Sequence, residues 1–159
     1  MLILEEIALI LIKASSEEKS HFMNLMLLAD ESENMINKYL GACDVYAAFG
    51  KDTEAIAAAA VQRKGEKSAE IMNMAVRENL QGRGIGKAML TSLLQELKKE
   101  NVTRVMVGTA NSSLDNIAFY QKAGFRMKEI RRDYFLAYPE IIVENGIRAL
   151  DMIVFQQEI

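Results

Sequence analysis

The 159-residue chain has very little cysteine and histidine. Cys43 is its single cysteine, which excludes a disulfide framework and a cysteine-rich metal site and is typical of a protein from a reducing compartment. His21 is its single histidine, which excludes a histidine-rich metal site. We therefore expect a cytoplasmic protein that needs no metal.

The chain also lacks a net positive charge and a long apolar run. The formal net charge is −3 and the pI is about 5.3, whereas nucleic-acid-binding proteins normally present a basic face, so we expect no nucleic acid as a partner. Glu5 and Glu6 interrupt the apolar start of the chain, and the run that follows them, 7–12, has only six residues. Because that run is short and no basic start precedes it, we expect neither a signal peptide nor a membrane span.

The chain does have enough apolar residues for one core. Hydrophobic residues make up 50% of it, and at this length they support a single domain with little room for a second. Repeats, low-complexity segments and linkers are absent from the sequence. We therefore expect residues 1–159 to form one domain.

Hydrophobic periodicity and turn residues predict the secondary structure. Helices are expected at 17–30, 32–40, 83–99 and 112–123. Strands are expected at 7–13, 43–49, 54–63, 68–76, 103–110, 125–132 and 149–157. The alanine run 57–60 lies inside one of these strands and is compatible with a helix as well.

A crossover unit stands in the middle of this order. Strand 68–76, helix 83–99 and strand 103–110 follow one another, so the two strands should be parallel and joined by a right-handed connection. The whole order predicts an α/β fold of the α+β kind, with a mixed sheet and helices packed on it.

Three glycines lie where the first strand of that unit leads into its helix. The stretch NLQGRGIGKAML, residues 79–90, contains Gly82, Gly84 and Gly86. A glycine-rich turn at a helix start exposes backbone N–H groups where the helix macrodipole also favours negative charge. The stretch therefore predicts an anion site, although a tight turn without a ligand is the alternative.

The spacing excludes two nucleotide-binding motifs. The dinucleotide fingerprint G-x-G-x-x-G would need a glycine where Lys87 stands. The P-loop pattern would need a glycine in place of Gln81 and a hydroxyl in place of Ala88.

The segment QGRGIGKA resembles the Q/R-x-x-G-x-G/A signature of the GNAT superfamily, the acetyl-CoA-dependent N-acetyltransferases. Gln81, Gly84 and Gly86 carry the match. The preceding strand AEIMNMAV and the later block FYQKAGF, residues 119–125, are similar to the same family's central strand and second conserved block. The resemblance implies a mixed sheet of six or seven strands with helices on both faces and with the two central parallel strands splayed apart.

The resemblance also implies acetyl-CoA as co-substrate. Main-chain groups of Met74, Ala75 and Val76 would pair with the pantetheine amides, and one N–H near Met74 or Ala75 would stabilise an oxyanion. Amides of the turn would hold the pyrophosphate, with the charges of Arg83 and Lys87 at its rim. The turn residues concerned are Gln81, Gly82, Arg83, Gly84, Ile85, Gly86 and Lys87.

Three further side chains are candidates for the chemistry. Tyr120 matches the family's general acid, which protonates the leaving thiolate, although a tyrosine on an amphipathic helix is otherwise a core residue. Glu70 stands six residues before Val76, where histone-type members carry a glutamate base, whereas many relatives remove the proton through water. Asn73 should face away from Glu70 by strand alternation and either hold substrate or bond to the backbone.

The segment before Tyr120 departs from the family pattern. Ser113 stands where an asparagine is usual, and Asn116 stands where an alanine is usual. Asn111 could take over a cofactor contact, whereas Ser112 and Asp115 have the spacing of a helix capping box.

The segment 131–152 is longer than a minimal member of the family would need. Tyr134, Phe135 and Tyr138 could form a substrate wall, a core contact or a homodimer surface. The acidic residues nearby would suit a cationic amine, although such charges are commonly only solvated: Asp133, Glu140 and Glu144.

Together these observations predict an acyltransferase that moves acetyl from acetyl-CoA to a primary amine of a small molecule or peptide. The alternative is a non-catalytic acetyl-CoA-binding sensor or interaction protein on the same fold, because a fold does not imply a function.

Overall fold

The computed structural model describes residues 9–159, and a seven-stranded mixed sheet dominates that part of the chain. The strands are β1 Ile10–Lys13, β2 Cys43–Phe49, β3 Ala55–Arg63, β4 Ser68–Val76, β5 Arg104–Ala110, β6 Arg126–Arg131 and β9 Met152–Glu158, with a separate small hairpin of β7 Val143–Glu144 and β8 Ile147–Arg148. The helices are α1 Met23–Met26, α2 Glu33–Leu40, α3 Ile85–Lys99 and α4 Leu114–Lys122. The strand order in the large sheet is β1-β2-β3-β4-β5-β9-β6.

The predicted fold class is confirmed, and helices cover both faces of the sheet. One buried cluster joins α3 and α4 to one face through residues such as Met89, Leu93 and Tyr120. A smaller cluster joins α1 and α2 to the opposite face through Met26 and Ile36. The apolar stripe of α3 that its 3.6-residue period predicted is therefore the main contact of this helix with the sheet.

The alanine run 57–60 is a strand and not a helix. All four alanines are fully buried in β3. Ala57 and Ala59 belong to the cluster that contains α3, and Ala60 belongs to the cluster that contains α2, on the opposite face. Because both faces of β3 are covered, the strand shows no polar–apolar alternation, and this is why its period was ambiguous.

The first predicted helix is mostly wrong. Residues 17–30 form a 3₁₀ turn at Lys19–Phe22 and only four residues of α-helix, Met23–Met26. The carbonyl of Met26 accepts hydrogen bonds from the N–H of Ala29 at 3.1 Å, from that of Asp30 at 3.0 Å and from the side chain of Asn73 at 2.9 Å. A tertiary contact thus occurs where the sequence pattern would continue the helix. The strand predicted at 7–13 is described only as Ile10–Lys13, because residues 7 and 8 lie outside the described part.

The central parallel pair is splayed, as the resemblance implied. β4 and β5 pair only between Ser68–Ile71 and Arg104–Val107. Beyond those residues β4 continues to Val76 beside β3, and β5 continues to Ala110 beside β9. The two strands therefore diverge, and a gap opens between their carboxyl-terminal ends.

A β-bulge in β4 corrects the predicted orientation of Asn73. The register with β3 shifts so that Ala60 pairs with Asn73 and Val61 pairs with Ile71, which leaves Met72 as an extra residue. The bulge reverses the alternation after Ile71. Asn73 consequently lies on the same face as Glu70, on the side of α1 and α2, and not on the opposite face.

We expect Leu93→Ala to destabilise the fold because Leu93 is fully buried between α3 and the sheet. The free energy of unfolding should fall by about 2–5 kcal/mol, measured by urea denaturation. The matched control is Leu136→Ala, whose side chain is 55% exposed and which should change the same quantity by less than about 0.5 kcal/mol. Equal losses in the two variants would contradict the assignment of α3 to the core.

Candidate functional site

The glycine turn has the backbone geometry of an anion site. Gly82 and Gly84 adopt φ of 76° and 82°, a region that residues with a side chain avoid. The side-chain amide of Gln81 donates to the carbonyl of Val76 at 3.0 Å and so ties the turn to the end of β4. Gln81 therefore holds the turn in place through its side chain.

The helix that follows the turn leaves its first donors free of intrahelical bonds. Helix α3 begins at Ile85, and Ala88 donates to the carbonyl of Gly84 at 3.1 Å. The N–H groups of Ile85, Gly86 and Lys87 precede that bond and lie at the positive end of the macrodipole. The side chain of Ile85 itself is buried in the core, so only its backbone is available at the turn.

A cleft of about 660 Å³ extends from this turn along the carboxyl-terminal end of β4, where β4 no longer pairs with β5. Its walls bring together most of the residues that the sequence predicted for the cofactor: Met74, Ala75, Val76, Gln81, Gly82, Gly84, Gly86 and Lys87. Arg83 is exposed on the same turn, although it does not line the cleft. The opposite wall comes from α4, through Asn116, Phe119 and Tyr120.

A second cavity, of about 180 Å³, lies on the other side of Tyr120. The cleft and this cavity meet at five residues that line both: Leu28, Ala29, Met74, Asn116 and Tyr120. The rest of the cavity is lined mainly by β4, β5, the connection between α1 and α2, α2 itself and the segment after β6, including Glu70, Asn73, Tyr134 and Tyr138. The predicted acid, the predicted base and all three predicted substrate residues thus surround one space.

Tyr120 lies at this junction between the cleft and the cavity. Its ring packs edge-on against Phe119 and Phe125, with centroid distances of 5.1 and 5.7 Å. Its burial raises the pKa of the phenol, so the hydroxyl is protonated at neutral pH. Within residues 9–159 the Tyr120 hydroxyl has no hydrogen-bond partner, which leaves it available to a ligand.

Glu70 is buried but carries two cationic partners. Its side chain is 3% exposed, and its carboxylate lies 3.0 Å from the guanidinium of Arg131 and 3.4 Å from the ammonium of Lys64. The two cations contact different oxygens of the carboxylate, so both oxygens are engaged. Arg131 is a site residue that the sequence alone did not reveal, because β6 and β4 are distant in the chain and Arg131 pairs with Glu70 only through the fold.

A hydrogen-bonded chain of polar groups forms one wall of the cavity. The Asn73 amide donates to the Tyr39 hydroxyl at 3.1 Å, and the hydroxyls of Tyr39 and Tyr138 donate to Asp30 at 3.1 and 3.0 Å. Burial, reinforced by the charge of Asp30, raises the pKa of both tyrosines. Asp30 and Tyr39 were missed from sequence, since neither stands in a motif and only the packing of α1 and α2 against β4 brings them here.

The segment before Tyr120 is occupied by structural contacts. The Asn111 side chain accepts from the N–H of Leu150 and Asp151 at 2.8 and 3.1 Å and donates to the carbonyl of Arg148 at 3.1 Å. Asn111 therefore binds the connection into β9, lines neither the cleft nor the cavity, and does not fit the predicted cofactor contact. The last strand, predicted at 149–157, begins at Met152, after the residues that these bonds hold.

The predicted capping box at Ser112 and Asp115 is wrong. Helix α4 has Ser113 at its N-cap, with no side-chain cap bond. The hydroxyls of Ser112 and Ser113 instead donate to Glu144 at 3.3 and 2.9 Å. Glu144 on β7 thus brings its carboxylate to the start of α4 and into the wall of the cavity, whereas Asp133 lies outside that wall.

Residues 9–159 contain neither a membrane-spanning helix nor a metal-binding group of side chains. No helix there is long and apolar enough to cross a bilayer. In the same residues, no three His, Cys, Asp or Glu side chains come together in a way that could hold a metal ion.

Comparison with known proteins gives the family. The profile of the acetyltransferase (GNAT) family matches residues 14–125. An uncharacterized N-acetyltransferase of Bacillus subtilis, YvbK, is 36% identical over 143 residues, which are 89% of this chain and 92% of that protein.

Two solved structures are similar to this chain in both fold and sequence. The IAA acetyltransferase of Bacillus cereus superposes with a TM-score of 0.87 at 38% identity, over 96% of this chain and 100% of that one. A GNAT family acetyltransferase of Elizabethkingia anophelis, solved with acetyl-CoA bound, gives a TM-score of 0.88 at 34% identity, over 95% of this chain and 98% of that one.

The family profile covers more than half of the chain, and these relatives match it almost from end to end. A splayed parallel pair, a glycine turn at a helix start and a tyrosine at the inner end of the cleft are the features that the resemblance implied. The chain belongs to the GNAT family and is an acetyl-CoA-dependent N-acetyltransferase.

Proposed function

We propose that this chain transfers acetyl from acetyl-CoA to a primary amine by direct attack of the amine on the thioester. The observation that carries the proposal is the position of Tyr120, whose side chain lines both the cleft and the cavity. A donor in the cleft and an acceptor in the cavity would meet beside its hydroxyl. Direct transfer needs such a meeting point, because both substrates must be present at once.

Acetyl-CoA is the co-substrate in this proposal, and the cleft residues hold it. The N–H groups of Ile85, Gly86 and Lys87 bind the pyrophosphate at the start of α3, and Arg83 adds positive charge at the rim. Backbone groups of Met74–Val76 that face the gap pair with the pantetheine amides, since β5 has already diverged there. The bound acetyl-CoA of the Elizabethkingia anophelis relative supports this assignment.

The acetyl group then lies at the junction with the cavity. The amine nitrogen forms a bond to the carbonyl carbon, and the carbonyl oxygen becomes an oxyanion that a backbone N–H near Met74 or Ala75 stabilises. The carbon–sulfur bond breaks, and the Tyr120 hydroxyl gives its proton to the departing thiolate. The phenol of Tyr120 is protonated at neutral pH, as a proton donor must be, and burial raises its pKa further.

The amine must also lose a proton, and Glu70 was the predicted base. Its contacts with Arg131 and Lys64 argue for another role, since they engage both of the carboxylate oxygens that would have to accept the proton. We propose that the proton leaves through water in the cavity, and that Glu70 holds Arg131 and contributes negative charge to the wall. Asn73, Tyr134 and Tyr138 line the cavity and contact the acceptor.

We expect Tyr120→Phe to lower kcat by about 10²–10³-fold, because the thiolate would leave without its proton donor. The measurement is release of free CoA thiol with a responsive amine, together with the Kd for acetyl-CoA, which should not change. The fold should be preserved, since the Tyr120 hydroxyl bonds to no other residue within 9–159.

The matched control is Tyr46→Phe, which removes the hydroxyl of a buried tyrosine that lines neither space. It loses a bond to Glu100 and should keep its kcat. An unchanged kcat in Tyr120→Phe would remove the acid role from Tyr120. If no amine causes release of CoA thiol while acetyl-CoA still binds, the sensor would be favoured over the transferase.

We expect two neighbouring glycines to respond differently to alanine. Gly84 has φ of 82°, so Gly84→Ala introduces strain of about 1 kcal/mol or more that the turn can relieve only by reorienting its amides. The Kd for acetyl-CoA, measured by titration calorimetry, should rise at least about fivefold. Gly86 is helical, and a Cβ there would lie 3.6 Å from Phe119 and 3.7 Å from Val76, which are ordinary contacts. Gly86→Ala should therefore bind nearly as the parent does, and equal losses in both variants would count against the turn as the anion site.

A further inference from the structure

Carboxylates mark a continuous path from the surface to the acetyl-transfer junction. Beyond the cavity, a groove of about 510 Å³ opens to solvent between α2 and the segment after β6. The cavity and the groove share Glu31, Tyr138 and Ile142 in their walls, so they form one passage. Glu33 and Glu140 stand at the outer part of this passage, and Asp30, Glu70 and Glu144 stand at its inner part.

The negative charge along this passage is largely uncompensated. Within residues 9–159 the only ion pairs of its carboxylates are those of Glu70 with Arg131 and Lys64. Arg131 is the single basic side chain in the wall of the cavity, and none lines the groove. Like charges held close together without counter-charges favour a cationic occupant.

A separate observation points to an occupant that donates hydrogen bonds. Asn73 lines the inner part of the passage, is only 5% exposed, and donates through its amide nitrogen to the Met26 carbonyl and the Tyr39 hydroxyl. Those two bonds settle the orientation of the amide, because the Met26 carbonyl requires a donor. Its oxygen then has no partner within the described residues, and a buried acceptor without a donor is costly.

The walls between the charges suit an alkyl chain. Tyr134, Phe135 and Tyr138 line the cavity and contact one another in that order. The ring centroids are 5.1 Å apart in the first, edge-on pair and 5.3 Å apart in the second, tilted pair. Aromatic faces accept methylene groups and also attract ammonium groups. The passage therefore combines negative charge at intervals with an apolar lining.

From these features we propose that the acceptor is a linear diamine or polyamine. Its reacting amine reaches Tyr120 and Asn73, its next cationic group lies beside Asp30 and Glu31, and a longer chain extends to Glu33 and Glu140. This inference rests on the proposed transfer to an amine and adds that a second positive charge is recognised. The narrow inner cavity, of about 180 Å³, admits an unbranched chain more readily than a bulky head group.

The test uses three probes that differ at one end only, together with spermidine. All three have a five-carbon chain: the fifth carbon is an aminomethyl group with a second ammonium in cadaverine, a methyl group in pentylamine and a carboxylate in 5-aminopentanoate. We expect kcat/KM for cadaverine, measured by thiol release at saturating acetyl-CoA, to exceed that for pentylamine at least about tenfold. Spermidine should be as good as cadaverine or better, and 5-aminopentanoate should be the poorest. The preference should shrink as the salt concentration rises.

A matched pair of variants locates the source of the preference. Glu33→Gln with Glu140→Gln removes the outer charges and should lower the ratio of spermidine to pentylamine at least about threefold. Glu17→Gln with Glu66→Gln removes two exposed charges that line neither the cavity nor the groove, and should leave the ratio unchanged.

Several results would overturn the inference. They are pentylamine matching cadaverine, equal ratios in the two double variants, and a lysine-rich peptide outperforming spermidine, which would indicate a protein acceptor. If no amine releases thiol, the proposed transfer fails, and calorimetry with the CoA-saturated protein decides the inference by itself. Tighter binding of spermidine than of pentylamine would then support the passage as a polyamine site, and equal binding would refute it.

Discussion

The separation of β4 from β5 is the constraint on which the rest of this molecule depends. Parallel strands normally pair along their length, because unpaired backbone groups inside a protein are costly. Here the pairing ends at Ile71 and Val107, while each strand keeps its outer neighbour. The divergence supplies both a cleft and a set of backbone groups without a sheet partner on that side. A ligand with its own amides can satisfy those groups, which explains why an interrupted sheet is useful in an acetyl-CoA-dependent enzyme.

Two features of the surrounding packing make that gap functional. The glycine turn is tied to the end of β4 by Gln81, so the backbone amides of the turn lie beside the cleft. Helix α4 closes the inner end with Tyr120, which an aromatic cluster holds in place. Because Tyr120 belongs to the core and to two cavities at once, its orientation is determined by packing and its hydroxyl remains available for chemistry.

The cavity is built from parts that are far apart in the chain. The bulge at Met72 turns Asn73 towards the same side as Glu70, and β6 brings Arg131 to that carboxylate. Asp30 receives hydroxyls from two tyrosines that are separated by about a hundred residues: Tyr39 and Tyr138. A one-residue change in strand register reverses the side to which every later residue points, so alternation from sequence could not place Asn73 correctly.

The sequence by itself determined the order of elements, the crossover unit and the family, and it named most of the residues that line the cleft. These follow from local signals: the 3.6-residue period of α3, the hydrophobic strands around it, and glycines whose spacing excludes two nucleotide motifs and resembles that of one family. Only the tertiary structure decided how the cavity is assembled, the early end of α1 and the structural contacts of Asn111. Each of these depends on hydrogen bonds or ion pairs between distant segments, which leave no periodic trace in the chain. The buried alanine strand illustrates the same limit, since covering both faces removes the alternation by which a strand is recognised.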